Sequence, residues 1–213
     1  MRRGTFTDTP VSYAAVGATQ NADLMTYPPS GYRPFEYAVR LGSGPERFAA
    51  ATTELMTWGV YENSGVRVSD TEPGTGEHYV GVQFDAEGHP IAPANRPHEA
   101  MFTDDGTPYA AAGMTLTLRR RAGLFERTSS VRVVYVIGTA VTAGFAVGSL
   151  EDAVFEGEEL YRVDLRDDGT VWAVVRGFHR IHRRVYRPLS GLLLARKRRQ
   201  LEHRIRALTL VRA

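Results

Sequence analysis

A glutamate and three tyrosines are the residues whose spacing could place chemistry inside a fold. Glu159 alternates in step with Tyr161 and Val163, so an extended strand would turn all three side chains to one face. Tyr37 and Tyr135 fall in the same way on the apolar faces of predicted strands. Because a few placed polar groups orient a ligand in an apolar cavity, the pattern predicts a ligand site with one carboxyl group and three phenols.

Three roles for Glu159 follow from an inward orientation. Burial would raise the pKa of the carboxyl group, which suits a general acid or base. The same group could bind a ligand, or it could be hydrogen-bonded to a tyrosine or an arginine for structure alone, since buried polar groups need partners in every case. Trp58 and Phe145 are further candidates for the wall of the cavity.

Other polar motifs are explained without a cofactor or metal. His179 and His182 are three residues apart, as in a helical metal pair, but no nearby Asp or Glu completes a site. A Gly-Ser-Gly-Pro run over 42–45 could receive a phosphate at a helix start, yet it lacks the Lys-Ser/Thr of a phosphate-binding loop. We therefore predict neither metal nor cofactor.

The composition bounds the class of protein. The chain has 213 residues, 26 Lys+Arg, 24 Asp+Glu and no cysteine. This length can bury a core that needs no disulfide, and the lack of cysteine excludes Cys-ligated metal sites and a Cys nucleophile. No apolar segment follows the first three residues, so we expect a cytoplasmic protein, and the preference for Arg over Lys favours a GC-rich bacterial genome.

Charge is divided unevenly along the chain. From Arg176 onward there are 12 basic residues and one acidic residue, a net charge of +11, whereas the preceding residues carry 14 basic and 23 acidic residues, a net charge of −9. Such asymmetry can mark a nucleic-acid or membrane partner. The basic residues surround a leucine stripe instead of lying on one face, which favours a basic helix on an acidic body, leaves peripheral membrane contact open and argues against nucleic acid.

Residue periodicity predicts a strand, a helix, several strands and a long final helix. Apolar residues alternate over 35–41, and helical spacing over 45–58 predicts a helix that a capping box of Ser43 and Glu46 begins and Gly59 closes. The uncharged stretch 133–150 is rich in glycine and β-branched residues, so it predicts two strands about a turn and not a membrane span. Further strands are predicted near 66–68, 80–84, 114–118, 131–137, 141–147, 159–165 and 171–178.

We expect residues 1–213 to form a single domain. It would comprise an extended N-terminal arm over 1–34, a long loop-rich excursion over 71–108, and an amphipathic helix over 188–211. A curved antiparallel sheet must cover its apolar face, and the final helix is the long element that can do so. The predicted fold class is α+β, with about six to eight strands wrapped around a long C-terminal helix and one short helix after the first strand, the helix-grip arrangement.

Several segments together resemble a known family, domain of unknown function 1990. Residues 13–19 resemble its Tyr-x-x-Val-Gly-Ala-Thr signature, residues 145–150 resemble its Tyr-Gly-Thr-Leu run with Val147 in place of tyrosine, and Gly157-Glu158-Glu159 and the Arg-rich final helix complete the match. The resemblance implies a fold similar to the START and polyketide-cyclase-like superfamily, whose members bind apolar ligands between sheet and helix. It implies no established activity.

The sequence thus predicts a protein that binds a small apolar or amphipathic molecule between sheet and C-terminal helix. Two alternatives stay open. One is a cyclase- or hydrolase-like enzyme that uses Glu159 as acid or base. The other is an interaction protein that applies its basic helix to a membrane surface or a protein partner. The candidate site residues are Tyr37, Trp58, Tyr135, Phe145, Glu159 and Tyr161.

Overall fold

A computed structural model describes most of the chain. The described residues are 11–73, 83–84, 90–91, 102–103, 106–122, 125–150, 153–181 and 189–210. The strands are β1 (Arg33–Ser43), β2 (Val66–Glu72), β3 (Gln83–Phe84), β4 (Pro90–Ile91), β5 (Thr115–Ala122), β6 (Phe125–Gly138), β7 (Thr142–Ser149), β8 (Phe155–Leu165) and β9 (Thr170–Ile181). The helices are α1 (Pro45–Met56), α2 (Gly59–Glu62) and α3 (Ser190–Ala207), with 3-10 turns at Ala18–Gln20 and Leu208–Leu210.

Seven of these strands form one antiparallel sheet in the order β1-β9-β8-β7-β6-β5-β2. The connection from β1 to β2 crosses from one edge of the sheet to the other, and it carries α1 and α2 over the concave face. The α+β class, the short helix after the first strand and the C-terminal helix are confirmed. Most of the predicted excursion over 71–108 lies outside the described residues.

The main core lies between the concave face of the sheet and the helices. Strand alternation brings Phe145, Tyr161 and Val163 to this face, and each is at most 1% exposed. The predicted leucine stripe of α3 packs onto it through Leu201 and Leu208. Within the described part of the chain, no helix is both long enough and apolar enough to cross a membrane.

The first helix begins and ends differently from the prediction. Gly44 precedes α1 with φ +91° and no side-chain cap, so the expected capping box of Ser43 and Glu46 is wrong. At the other end, Trp58 takes φ +72°, a left-handed conformation that is strained for a tryptophan, and Gly59 starts α2 instead of closing α1. The buried indole packs edge-on against Phe145 at 5.3 Å between ring centroids, and this contact helps to offset the strain.

The convex face of the sheet is covered by the N-terminal arm. Glu158 faces this side and is fully buried, and its carboxyl oxygens accept hydrogen bonds from the Tyr13 hydroxyl at 2.6 Å, the Gly17 amide at 2.8 Å and the Thr19 amide at 3.1 Å. The Thr19 hydroxyl also donates to it. The Tyr-x-x-Val-Gly-Ala-Thr segment and the Gly-Glu-Glu segment are therefore the two halves of one contact.

Close packing beneath the arm explains a glycine in a third motif segment. A Cβ atom at Gly148 would lie 2.5 Å from the Tyr13 hydroxyl oxygen, so only glycine lets the arm approach β7 this closely. Burial, and then the charge of Glu158, raise the pKa of Tyr13, which keeps its proton for the hydrogen bond.

Replacing the Glu158 carboxyl group should release the arm. In Glu158→Gln an amide NH₂ faces donors in a buried site, so we expect the free energy of unfolding to fall by about 2–3 kcal/mol. Urea denaturation measures this loss. The matched control is Glu36→Gln, because Glu36 is 42% exposed in its pair with Arg176 and should cost under ~1 kcal/mol. Equal losses in the two variants would contradict the anchoring role of Glu158.

Candidate functional site

A cavity of about 410 Å³ lies between one end of the sheet and α3. Its lining comes from the early residues of β6 and β8, the late residues of β5, β7 and β9, and the helix above them. These strand ends coincide because neighbouring strands are antiparallel. Among the described residues, the apolar part of the lining consists of Val66, Leu118, Val131, Val147, Ala153, Val154, Phe155, Phe178, Leu189 and Leu193.

Glu159 lines this cavity and is held by three side chains. The Lys197 ammonium group donates to one carboxyl oxygen. The Tyr161 hydroxyl donates to the other, which also accepts from Arg204 Nη1 at 3.1 Å. The same Arg204 nitrogen lies 2.7 Å from the Tyr161 hydroxyl oxygen, so helix, carboxylate and phenol form one closed network. This network ties the second half of α3 to β8.

The charge balance of the network reverses the expected behaviour of Glu159. Burial alone would raise the pKa of this carboxyl group, but the positive charges of Lys197 and Arg204 outweigh burial and lower it to about 2. The predicted net rise of this pKa is therefore wrong, because two cations of α3 lie beside the carboxylate. A carboxylate this acidic, with both oxygens occupied, is poorly suited to proton transfer near neutral pH.

Two further buried polar atoms belong to residues that line the cavity and have no hydrogen-bond partner among the described residues. The Tyr61 hydroxyl is one, on a side chain that is fully buried and whose ring lies 4.8 Å from the Arg204 guanidinium carbon. The Nδ1 atom of His179 is the other. Burial, and then the charge of Lys197, lower the pKa of His179 to about 4, so its ring is neutral at pH 7.

The other predicted residues on the concave face surround the site without lining it. Tyr161 and Phe145 lie in the core beneath the cavity, and Trp58 packs on the far side of Phe145. Tyr37 stacks on Phe35 at 6.0 Å between ring centroids. Of the six predicted site residues, Glu159 lines the cavity and the other five do not. Tyr161 is linked to the site through the hydrogen bond from its hydroxyl group to Glu159.

Tyr135 lies on the opposite face of the sheet, which corrects its predicted place. Val133 of β6 pairs with Val147 of β7, and the neighbouring Ala146 of β7 pairs with Tyr135. Val134 is therefore an extra residue in β6 and forms a β-bulge. One extra residue reverses the alternation of the side chains that follow it. The Tyr135 hydroxyl consequently lies 2.6 Å from Thr19 Oγ1 under the N-terminal arm.

The cationic partners of Glu159 were missed, although the sequence holds a signal for them. Lys197 and Arg204 lie seven residues apart, and together with Leu201 and Leu208 they form a stripe at spacings of four, three and four. That spacing keeps one face of a helix, so both cations share the buried stripe of α3. His182 lies outside the described residues, and within the described ones no three His, Asp or Glu side chains converge as metal ligands.

A seven-stranded antiparallel sheet, a covering C-terminal helix and a cavity between them define an α+β protein of the helix-grip class. The chain belongs to the family described as domain of unknown function (DUF1990), whose model matches residues 12–93 and 94–207. The resemblance to this family that its motifs predict is thereby confirmed.

Two solved structures are similar to this chain at low sequence identity. The structure of Ara h 8.0201 matches 84% of this chain and 98% of its own, with 10% identity and a TM-score of 0.43. The structure of hypothetical protein jhp0584 from Helicobacter pylori matches 87% of this chain and 92% of its own, with 10% identity and a TM-score of 0.45. No curated protein matches the sequence.

The lowered pKa of Glu159 predicts how stability depends on pH. In Glu159→Gln, the half-buried Lys197 and the buried Arg204 are left without an anion, so the free energy of unfolding at pH 7 should fall by about 3 kcal/mol. The folded pKa of about 2 lies below the ordinary value of 4.5, so the stabilisation is complete above about pH 5 and is lost as pH falls toward 2. The difference between wild type and variant should shrink over that interval in urea denaturation.

Glu202→Gln is the matched control for this experiment. Glu202 pairs with Arg198 at 2.8 Å one helical turn away, and the Arg198 side chain is 67% exposed, so its loss should cost about 0.3–0.5 kcal/mol. A difference between wild type and Glu159→Gln that stays constant from pH 5 to pH 2 would contradict the assigned ion network.

Proposed function

We propose that this protein binds a small apolar or amphipathic molecule in the cavity between the sheet and α3. The observation that carries the proposal is the cavity itself, at the place where a helix-grip fold separates sheet from helix. Its volume of about 410 Å³ falls within the range of about 300–1,000 Å³ that small-molecule sites occupy.

The chemistry of the lining supports an amphipathic occupant. Apolar side chains from β5, β6, β7 and α3 would bury a hydrocarbon body, and the hydroxyl groups of Thr128, Ser129 and Ser130, which also line the cavity, would bond a polar group of it. The first half of α3 lies over the cavity, and Leu189 and Leu192 there are 55% and 70% exposed. This part of the helix has fewer buried contacts than the second half, which suits the entry of a ligand.

Glu159 has a structural role in this proposal. Its network with Lys197 and Arg204 fixes the second half of α3 and forms one wall of the cavity. No observation on the described residues favours the alternative in which it acts as acid or base. The alternative of a membrane or protein partner for the basic helix stays a prediction.

A cavity-filling substitution tests the proposal. Leu193 lines the cavity, so Leu193→Trp should fill it and weaken binding of the neutral apolar fluorophore N-phenylnaphthylamine by at least about tenfold in a fluorescence titration. Leu192 is the adjacent residue, is 70% exposed and does not line the cavity, so Leu192→Trp is the matched control and should bind as wild type does.

Native mass spectrometry of the purified protein supplies an independent measurement. We expect an additional mass of a small molecule on wild type and on Leu192→Trp, and its absence on Leu193→Trp. Fluorophore binding that both tryptophan variants keep unchanged would overturn the proposal, because the probe would then bind elsewhere on the surface.

A further inference from the structure

Basic side chains outnumber acidic ones around the cavity. Among the described residues, five cations line it against one carboxylate, Glu159, which already binds Lys197 and Arg204. The remaining three cations are Arg120 on β5, Arg127 on β6 and Arg196 on α3. No carboxylate of the described residues lies within salt-bridge distance of these three, whereas Arg198 on the outer side of the same helix pairs with Glu202.

Two of these three arginines also line a second depression beside the cavity. It is lined by Arg120, Arg196, Arg199 and His203, together with Ser64, Val66 and Gln200. Arg120 and Arg196 line both spaces, one from the sheet and one from the helix, so they stand where the apolar cavity meets the basic depression. No acidic side chain of the described residues lines the depression.

These like charges act on one another. Partial burial lowers the pKa of Arg120, and the charges of Arg196, Arg204 and Arg127 lower it further. Arginines gathered at a cavity mouth repel one another at a cost in stability, and an anion placed among them would relieve the repulsion. Guanidinium groups also suit this task because their planar donors match the oxygens of a carboxylate, sulfate or phosphate.

We propose that the ligand of the cavity carries an anionic head group, which Arg120 and Arg196 bind at the junction of cavity and depression while its apolar chain lies between Val131, Val147 and Leu193. This inference rests on the proposed function and names the chemical class of the ligand. An anionic amphiphile satisfies both parts of the site at once, whereas a neutral apolar molecule leaves the arginines unpaired.

Calorimetric titration with decanoate and decanol tests the inference, since the two probes share an alkyl chain and differ in charge. Wild type should bind decanoate at least about tenfold more tightly than decanol. Raising the NaCl concentration from about 0.05 to 0.5 M should weaken binding of decanoate and leave that of decanol nearly unchanged. Equal affinity for the two probes would overturn the anionic assignment and leave the proposed function intact, and binding of neither probe nor N-phenylnaphthylamine would overturn both.

Substitutions locate the head group. Arg120→Gln and Arg196→Gln should each reduce affinity for decanoate about tenfold without changing that for decanol. The matched control is Arg206→Gln, because Arg206 is an exposed arginine of the same helix that lines neither space. The ligand-free Arg120→Gln protein should be at least as stable as wild type in thermal unfolding, since a like charge has been removed. A stability loss that accompanies the loss of binding would indicate a structural role for Arg120 and contradict the inference.

Lipid vesicles test whether the anionic group belongs to a single amphiphile or to a membrane surface. Co-sedimentation with phosphatidylglycerol vesicles is compared for wild type and Arg196→Gln, alongside titration with decanoate monomers. Binding of the monomers that depends on Arg196 supports a cavity for single amphiphiles, whether free or drawn from a lipid. Binding to vesicles without any binding of monomers would place the anion contact on a membrane surface and overturn the cavity assignment.

Discussion

Two adjacent glutamates on β8 hold the two sides of this molecule to its sheet. Because side chains alternate along a strand, Glu158 must face the convex side and Glu159 the concave side. Glu158 binds Tyr13, Gly17 and Thr19 of the N-terminal arm, and Glu159 binds two cations of α3. A shift of one residue in the pairing of β8 would exchange the two carboxyl groups and break both attachments, so the register of this strand is specified from both faces.

The attachment at Glu159 also determines where the cavity lies. It fixes α3 from about Lys197 to its end, where Leu201, Ile205 and Leu208 complete the packed core. The preceding turns of the helix extend beyond that anchor and cover the ends of the strands, and there the space between helix and sheet stays unfilled. The strong positive charge of the C-terminal segment is therefore used in two ways. Lys197 and Arg204 neutralise a buried carboxylate, and Arg196 stands with Arg120 at the mouth of the cavity.

Much of this arrangement follows from alternation and periodicity alone. The inward placement of Glu159 and Tyr161, the leucine stripe of α3 and the order of strands and helices could all be predicted from the sequence, because each depends on a regular repeat. The failures occur where a repeat is interrupted or where a partner comes from a distant segment. A single bulged residue at Val134 moved Tyr135 to the other face, and no residue type marks that position. The pKa of Glu159 depends on residues 38 and 45 positions further along the chain, and that pairing exists only in the folded protein.

β1 and β9 are the first and last strands of the main sheet in chain order, so the ribosome completes β1 long before its partner strand. β1 pairs with β9, yet about 130 residues separate the end of one strand from the start of the other. At ribosomal rates of about 5–20 residues per second, β1 waits roughly 6–25 s for its partner, while α1, α2 and the strands β2 to β8 are made. During that interval its apolar row of Phe35, Tyr37 and Val39 is open to contact with other nascent chains, so the step most exposed to aggregation or to chaperone binding is the wait for β9.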